Sequence, residues 1–497
     1  MHVSTAERTR IGNVHPPGWE NPRARDKYHL VVVGGGTGGL VTAAIAAGLG
    51  ATTALVERHW MGGDCLNVGC VPSKALVRAA RAWHAAATAR ERFGGPSVDG
   101  QRDFAAAMRR MEEVRSDISA VDSAHRYRNL GVDVFFGQAR FAGPDKITVD
   151  AQDIRFRRAV IATGTRPLVP PIPGIADVGY LTNETIFSLS EAPHRLIVIG
   201  GGPIGSELAQ AFARFGSTVT IVEREPRILG NDDPEAAGVV AVALVRDGVR
   251  LLTSATIQRV ERRGSIVVHL TRSDRAEELE TDAILVASGR APNVEDLGLD
   301  AAGVEYDERR VITDDRLRTS NRRIYAVGDI TGIAPFTHVA DAHARMVVQN
   351  ALFFGRKKVT DLVIPWCSYT HPELAHVGTK WDALNTGDEQ FEAMTIPLHD
   401  VDRARLDGDD EGFLRVHLRE GSDQIVAATL VANHAGDIIG QLSMAMRQGL
   451  GLSAIGATIF PYPTNAEVIR KAADAWRKRK LTPRVQGLFR LFFRLVK

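Results

Sequence analysis

Cys65 and Cys70 stand with four residues between them in the segment Gly62-Gly63-Asp64-Cys65-Leu66-Asn67-Val68-Gly69-Cys70-Val71-Pro72-Ser73-Lys74. They are two of only three cysteines in 497 residues. A close thiol pair can cycle between dithiol and disulfide and pass two electrons, or it can supply half of a zinc site. Zinc would need two more ligands at matching spacing, and no C-x-x-C or H-x-x-x-H partner accompanies the pair. Redox exchange is therefore the expected chemistry, with no metal site. Pro72 suits the first turn of a helix, so Cys70 is expected at a helix N-terminus, where the backbone dipole lowers a thiol pKa. The third cysteine, Cys367 in Pro365-Trp366-Cys367-Ser368-Tyr369, reads as an unpaired buried thiol on a strand.

Two glycine turns can bring nucleotides to such a pair. Leu30-Val31-Val32-Val33 leads into Gly34-Gly35-Gly36-Thr37-Gly38-Gly39 and a helix to about Leu49, and the next strand ends at Glu57. Leu196-Ile197-Val198-Ile199 leads into Gly200-Gly201-Gly202-Pro203-Ile204-Gly205 and a helix to about Phe215, and its next strand ends at Glu223. Both are G-x-G-x-x-G turns with an acid 23 residues after the first glycine. The first glycine permits the tight turn, the second admits a pyrophosphate, and the third lets helix pack on strand. Amides at the helix start hold the anion, and the acid accepts from a ribose 2′-OH. Glycines kept only for packing would not explain an acid at the same offset twice.

The rest of the chain supplies the frame. Its length allows three or four domains, and its 44% hydrophobic content is ordinary for a soluble protein. The formal charge of +2 implies no global attraction to nucleic acid. Few cysteines argue against a disulfide scaffold and for a reducing compartment, the cytoplasm. Residues 1–26 are polar, contain Pro16, Pro17 and Pro22, and lack an apolar signal-peptide core, so they read as a flexible N-terminal arm. No run of 18 apolar residues suggests a transmembrane helix. Further apolar strands end at Thr163-Gly164, at Ser288-Gly289-Arg290 and at Gly328-Asp329. From Lys358 short alternating strands and two helices take over. The expected fold is α/β, with two Rossmann-like three-layer domains followed by a C-terminal α+β domain.

On these motifs, in this order over roughly residues 27–475, the chain resembles the flavin-dependent pyridine nucleotide–disulfide oxidoreductases of class I. That family includes lipoamide dehydrogenase, glutathione reductase and mercuric reductase. The resemblance implies an FAD domain at 27–168 and 295–357, an NAD(P) domain at 169–294 and a dimerisation domain at 358–475. It implies that Gly34, Gly36, Gly39 and Glu57 hold the ADP half of FAD, with Thr163 and Gly164 nearby and Asp329 at the ribityl and pyrophosphate. Gly200, Gly202, Gly205, Glu223 and Gly289 would serve NAD(P)H. An acid at Glu223 favours NADH over NADPH, because it would repel a 2′-phosphate, although Arg224 and Arg227 follow it. Cys70 would be the flavin-side sulfur and Cys65 the interchange thiol. Lys74 would approach flavin N5, with Glu207 as its ion-pair partner. The homodimer would complete each site with Tyr462 and Glu467 of the other subunit.

Tyr462 is a departure, since dithiol-exchanging relatives carry a histidine there, oriented by the glutamate matching Glu467. A phenol titrating near pH 10 is a poor base for that exchange. Phe460-Pro461-Tyr462 resembles mercuric reductase instead, yet 476–497 holds no cysteine pair and no N-terminal Cys-x-x-Cys module is present. The expected activity is electron transfer from NAD(P)H through FAD and Cys65–Cys70 to an external acceptor, a metal ion, small molecule or oxidant. The alternatives are a dihydrolipoamide dehydrogenase-type dithiol enzyme and a membrane-docked electron-transfer partner. The last rests on residues 476–497, which carry eight Lys or Arg and no acid. Within 483–497 an apolar face suits peripheral contact with the inner face of a membrane, packing on the protein's own body, or a solubilising tail.

Overall fold

The computed structural model describes residues 4–97, 102–386 and 391–496. The first apolar run becomes the strand Tyr28–Val33, paired in parallel with Thr53–Glu57 on one side and with the second half of Gln152–Ile161 on the other. Val132–Phe136 and Ile324–Ala326 extend this sheet in parallel. Its central strands are covered on both faces, which is why their sequences are continuously apolar rather than alternating. Gln152–Ile161 shows both regimes. Its first half alternates exposed and buried residues where it joins an antiparallel meander with Lys146–Val149 and Ala139–Gly143, and its last three residues are all buried.

The second glycine turn opens a parallel sheet in the order Arg250–Leu252, Thr218–Val222, Arg195–Ile199, Ala283–Val286. An antiparallel meander over Ala255–Thr281 packs against it. The chain passes between the two sheets through the short ladder Thr165–Pro167/Arg290–Pro292. The C-terminal part is a five-stranded antiparallel sheet whose core is closed by Ala435–Arg447 and by Glu467–Arg479 with its Trp476.

One helix joins all three parts. Cys70–Phe93 is 24 residues long and lies along Pro203–Phe215 of the second nucleotide domain. Lys74 pairs with Glu207 at 2.7 Å, Arg81 with Glu373 at 2.9 Å and Arg92 with Asp409 at 2.6 Å.

The segment expected to be a flexible arm holds, in its described part, a helix packed on the body. Thr5–Val14 is a helix capped by the Ser4 hydroxyl, which accepts from Glu7 N at 3.1 Å, and it packs on Phe104–Ser119. Arg10, 1% exposed, donates to Glu7, to Asn67 Oδ1 and lies 4.4 Å over Trp60. Arg115 binds Glu7 at 3.0 Å and Asn67 O at 2.9 Å. Farther on, Trp19 donates to Val134 O and Asn21 to Phe136 O along the sheet edge. The segment reads as solvated because its contacts are charged, but those charges are satisfied inside the protein.

Candidate active site

Both glycine turns fold alike. Gly34 and Gly200 take φ of +107° and +108°, a conformation that favours glycine. A Cβ at Gly39 or Gly205 would overlap the carbonyl oxygen of Gly34 or Gly200. Glu57 accepts from Gly35 N at 2.6 Å and His59 N at 2.7 Å, and Glu223 accepts from Gly201 N at 2.6 Å and Glu225 N at 2.8 Å. Each acid thus fixes its own loop. The helices starting at Thr37 and Pro203 have glycine N-caps with no side-chain cap, so the amides of their first turns, Pro203 excepted, remain available for an anion.

A cavity of about 2520 Å³ runs past these turns and over the cysteines. Gly34, Gly36, Glu57, Cys65, Cys70, Lys74, Thr163, Gly164, Gly202, Glu207 and Asp329 line it. Gly39, Gly200, Gly205, Glu223 and Gly289 lie outside its walls, as do Tyr462 and Glu467 of the same chain. Cys65 sits in the short helix Gly63–Asn67, and Cys70 is the first residue of Cys70–Phe93; both are free thiols.

The two thiols differ sharply. The hydrogen bond from Cys65 outweighs burial and, with the Thr337 hydroxyl at 3.4 Å and the Lys74 charge, holds the Cys70 thiol below its ordinary range. Cys65, which hydrogen-bonds Cys70 and is half-buried, is pushed up. Burial opposes the Lys74 ammonium, but Glu207 and Cys70 beside it raise its pKa overall. Lys74 also lies 4.8 Å from the Tyr369 ring, and Tyr369 N donates to Glu207 at 2.9 Å.

Several site residues were not legible from the sequence. Thr337 faces Cys70 from across the fold. Arg290 joins Asp64 and donates to Thr165 Oγ1 at 2.6 Å, while Asn183 donates to Asp64 at 3.0 Å. Asp64 adjoins Cys65 and Arg290 adjoins Gly289, so adjacency to named motifs was the one signal for them. Tyr462 does not meet Glu467; its hydroxyl donates to Asp402 at 3.0 Å, which raises its pKa. Glu467 is buried and binds Arg470 at 2.8 Å, and its second oxygen has no hydrogen-bond partner.

Residues 28–351 match the family model described as pyridine nucleotide-disulphide oxidoreductase, and residues 364–473 match that family's dimerisation domain. The chain belongs to the pyridine nucleotide–disulfide oxidoreductases. Within that family it is similar to mercuric reductases, with 33% identity to that of Lysinibacillus sphaericus over 91% of this chain and 84% of the relative. Identity to the Staphylococcus aureus enzyme is 34%, over 91% and 83%. A dihydrolipoyl dehydrogenase of Thermus scotoductus is 32% identical, over 91% and 98%. Among solved structures, a Cu(II) complex of the HOCl-induced flavoprotein disulfide reductase RclA from Escherichia coli has a TM-score of 0.79 at 29% identity, covering 89% of this chain and 98% of that one.

The enzyme is an NAD(P)H-dependent FAD disulfide oxidoreductase, mercuric reductase-like. Its own residues fit the flavin nucleotide. The uncapped helix start at Thr37 suits the pyrophosphate. The Asp329 carboxyl, pushed up by burial despite Arg290 and Thr165, lines the cavity and can accept from a polyol chain.

Proposed function

We propose that this oxidoreductase delivers electrons from NADH, through FAD and the Cys65–Cys70 pair, to a soft metal ion or a comparable oxidant. When bound, FAD supplies two-electron transfer between the nicotinamide and the disulfide. The chain's own residues govern the thiol chemistry. Breaking the S–S bond with two electrons and one proton yields a Cys70 thiolate, stabilised by Thr337, Lys74 and the helix N-terminus, and a Cys65 thiol. When the electron pair passes on, the disulfide reforms and the Cys65 proton is released.

The observation that carries the acceptor reading is Tyr462 standing where an imidazole would serve dithiol exchange. A thiol that holds its proton needs either a base or a metal ion to displace that proton, and soft metals do so. Similarity to mercuric reductases and to a reductase solved with Cu(II) supports the same choice.

The homodimer brings Tyr462 and Glu467 to the partner's cysteines; the unpartnered Glu467 oxygen supports an incomplete site within one chain. The acid at Glu223 supports NADH. The scarcity of cysteine supports a cytoplasmic setting.

The test is a steady-state panel of NADH and NADPH against Hg(II), Cu(II), quinones, lipoamide and disulfides. Fastest turnover is expected with NADH and a soft metal ion, and Cys70→Ser should abolish it. Lipoamide reduction faster than that of any metal ion would overturn the acceptor reading, and full activity in Cys70→Ser would overturn the route.

A further inference from the structure

We propose that the C-terminal helix Pro483–Leu495 docks this enzyme on an anionic lipid surface. The helix is set locally, with Thr482 Oγ1 accepting from Val485 N at 3.4 Å and Pro483 in the first turn. Leu488, Phe489, Leu491, Phe492, Phe493 and Leu495 share one broad sector, Gln486, Arg490 and Arg494 share the other, and Arg484, in the first turn, falls on the apolar side. None of the helix's residues is buried, and those six apolar side chains are each 50% to 77% exposed. Packing on the protein's own body therefore does not account for this face.

Two observations select the occupant. The first is charge complementarity. Residues 476–497 hold eight cations and no acid. Arg477 bonds to Ser453 O and Gly456 O, Arg479 approaches Glu392 and Lys480 lies 3.7 Å over the Trp476 ring, leaving Lys478, Arg484, Arg490 and Arg494 along the helix and its lead-in. A layer of anionic headgroups over acyl chains satisfies both sectors at once. The second is position. The dimerisation domain matches as far as residue 473, and Trp476 closes that domain's core, so the helix departs from a fold already complete. Two such helices per dimer would act together, multiplying the affinity of either alone.

Docking does not depend on which acceptor the active site uses. The experiment is co-sedimentation of the full-length holoenzyme with vesicles of phosphatidylcholine alone or with one-third phosphatidylglycerol, at low and high salt. Binding to the anionic vesicles and release by salt are expected. Phe489→Glu combined with Phe492→Glu should lower partitioning at least about tenfold. Each of Arg490→Gln and Arg494→Gln should lower it roughly fivefold. All variants should keep turnover with a soluble acceptor, because none of these residues lines the cavity. Failure to sediment with anionic vesicles, or equal binding to neutral ones, would overturn the proposal. So would a halved particle mass in the Phe489→Glu/Phe492→Glu variant, which would show that a second copy of this chain covers the face.

Discussion

Arg10→Met tests whether the N-terminal helix braces the redox loop. Methionine retains an apolar stem, so the loss is of polar contacts. Arg10 gives two bonds to Glu7, at 2.9 and 2.6 Å, one to Asn67 Oδ1, and a cation–π contact at 4.4 Å from Trp60. Glu7 keeps Arg115 at 3.0 Å, so the full cost of an uncompensated buried charge, about 3–5 kcal/mol, is not incurred. Asn67 Oδ1 does lose its charged donor, at about 1–3 kcal/mol, and the contact with Trp60 adds about 0.5–1 kcal/mol. A loss of about 2–4 kcal/mol results, read as a lower urea midpoint for flavin release from the holoenzyme. Asn67→Ala removes in addition the bonds from Asn67 Nδ2 to Met61 O and Gly63 O. A double-mutant cycle subtracts those and should leave about 1–2 kcal/mol of coupling between residues 10 and 67. If the two changes add to within about 0.5 kcal/mol, the brace does not exist.

Three further outcomes are expected. Lys74→Met removes a charge that favours the Cys70 thiolate, so in reduced enzyme the thiolate absorbance should titrate at higher pH than in wild type; an unmoved titration would show that Cys70 does not feel Lys74. Gly202→Ala meets nothing within 4 Å and should raise KM for the nicotinamide nucleotide at unchanged thermal stability, whereas Gly205→Ala, which meets the Gly200 carbonyl, should fail to assemble that domain. Burial pushes Asp232 up to about 6 despite the bond from Trp366 Nε1 at 2.7 Å. A carboxyl raised in the fold costs stability once ionised, so stability should fall as pH rises from about 4 to about 6, by about 3 kcal/mol. Asp232→Asn keeps the acceptor for Trp366 and should remove that slope; an identical pH profile would refute the assignment.

What could be read from the chain alone was whatever the backbone demands locally. Positive φ at Gly34 and Gly200, and close helix–strand approach at Gly39 and Gly205, leave one residue type at each position, so the turns announce themselves. Cys65 and Cys70 stand out because cysteine is scarce here. Lys74 and Glu207 are different: nothing in their own neighbourhoods marks them, and only their offsets from family motifs singled them out. Side chains that meet across the fold were silent. Arg290 reaches Asp64 over 226 positions, and Thr337 reaches Cys70 over 267. The N-terminal helix was misread for a related reason. Polar composition normally marks water-facing chain, and nothing local shows that Arg10 has Glu7 and Asn67 waiting.

The helix Cys70–Phe93 also constrains how this chain can change over generations. Lys74, Arg81 and Arg92 lie seven and eleven positions apart, close to whole numbers of helical turns, so they form a single row. Each member of the row grips a different partner, Glu207, Glu373 and Asp409. Inserting or deleting one residue between any two would swing the downstream cations about 100° around the axis, away from those acids. Point substitutions along this stretch can be absorbed one at a time, but a change of length cannot. Among descendants of this sequence, its residue count from Cys70 to Arg92 should therefore stay fixed while loops elsewhere grow and shrink.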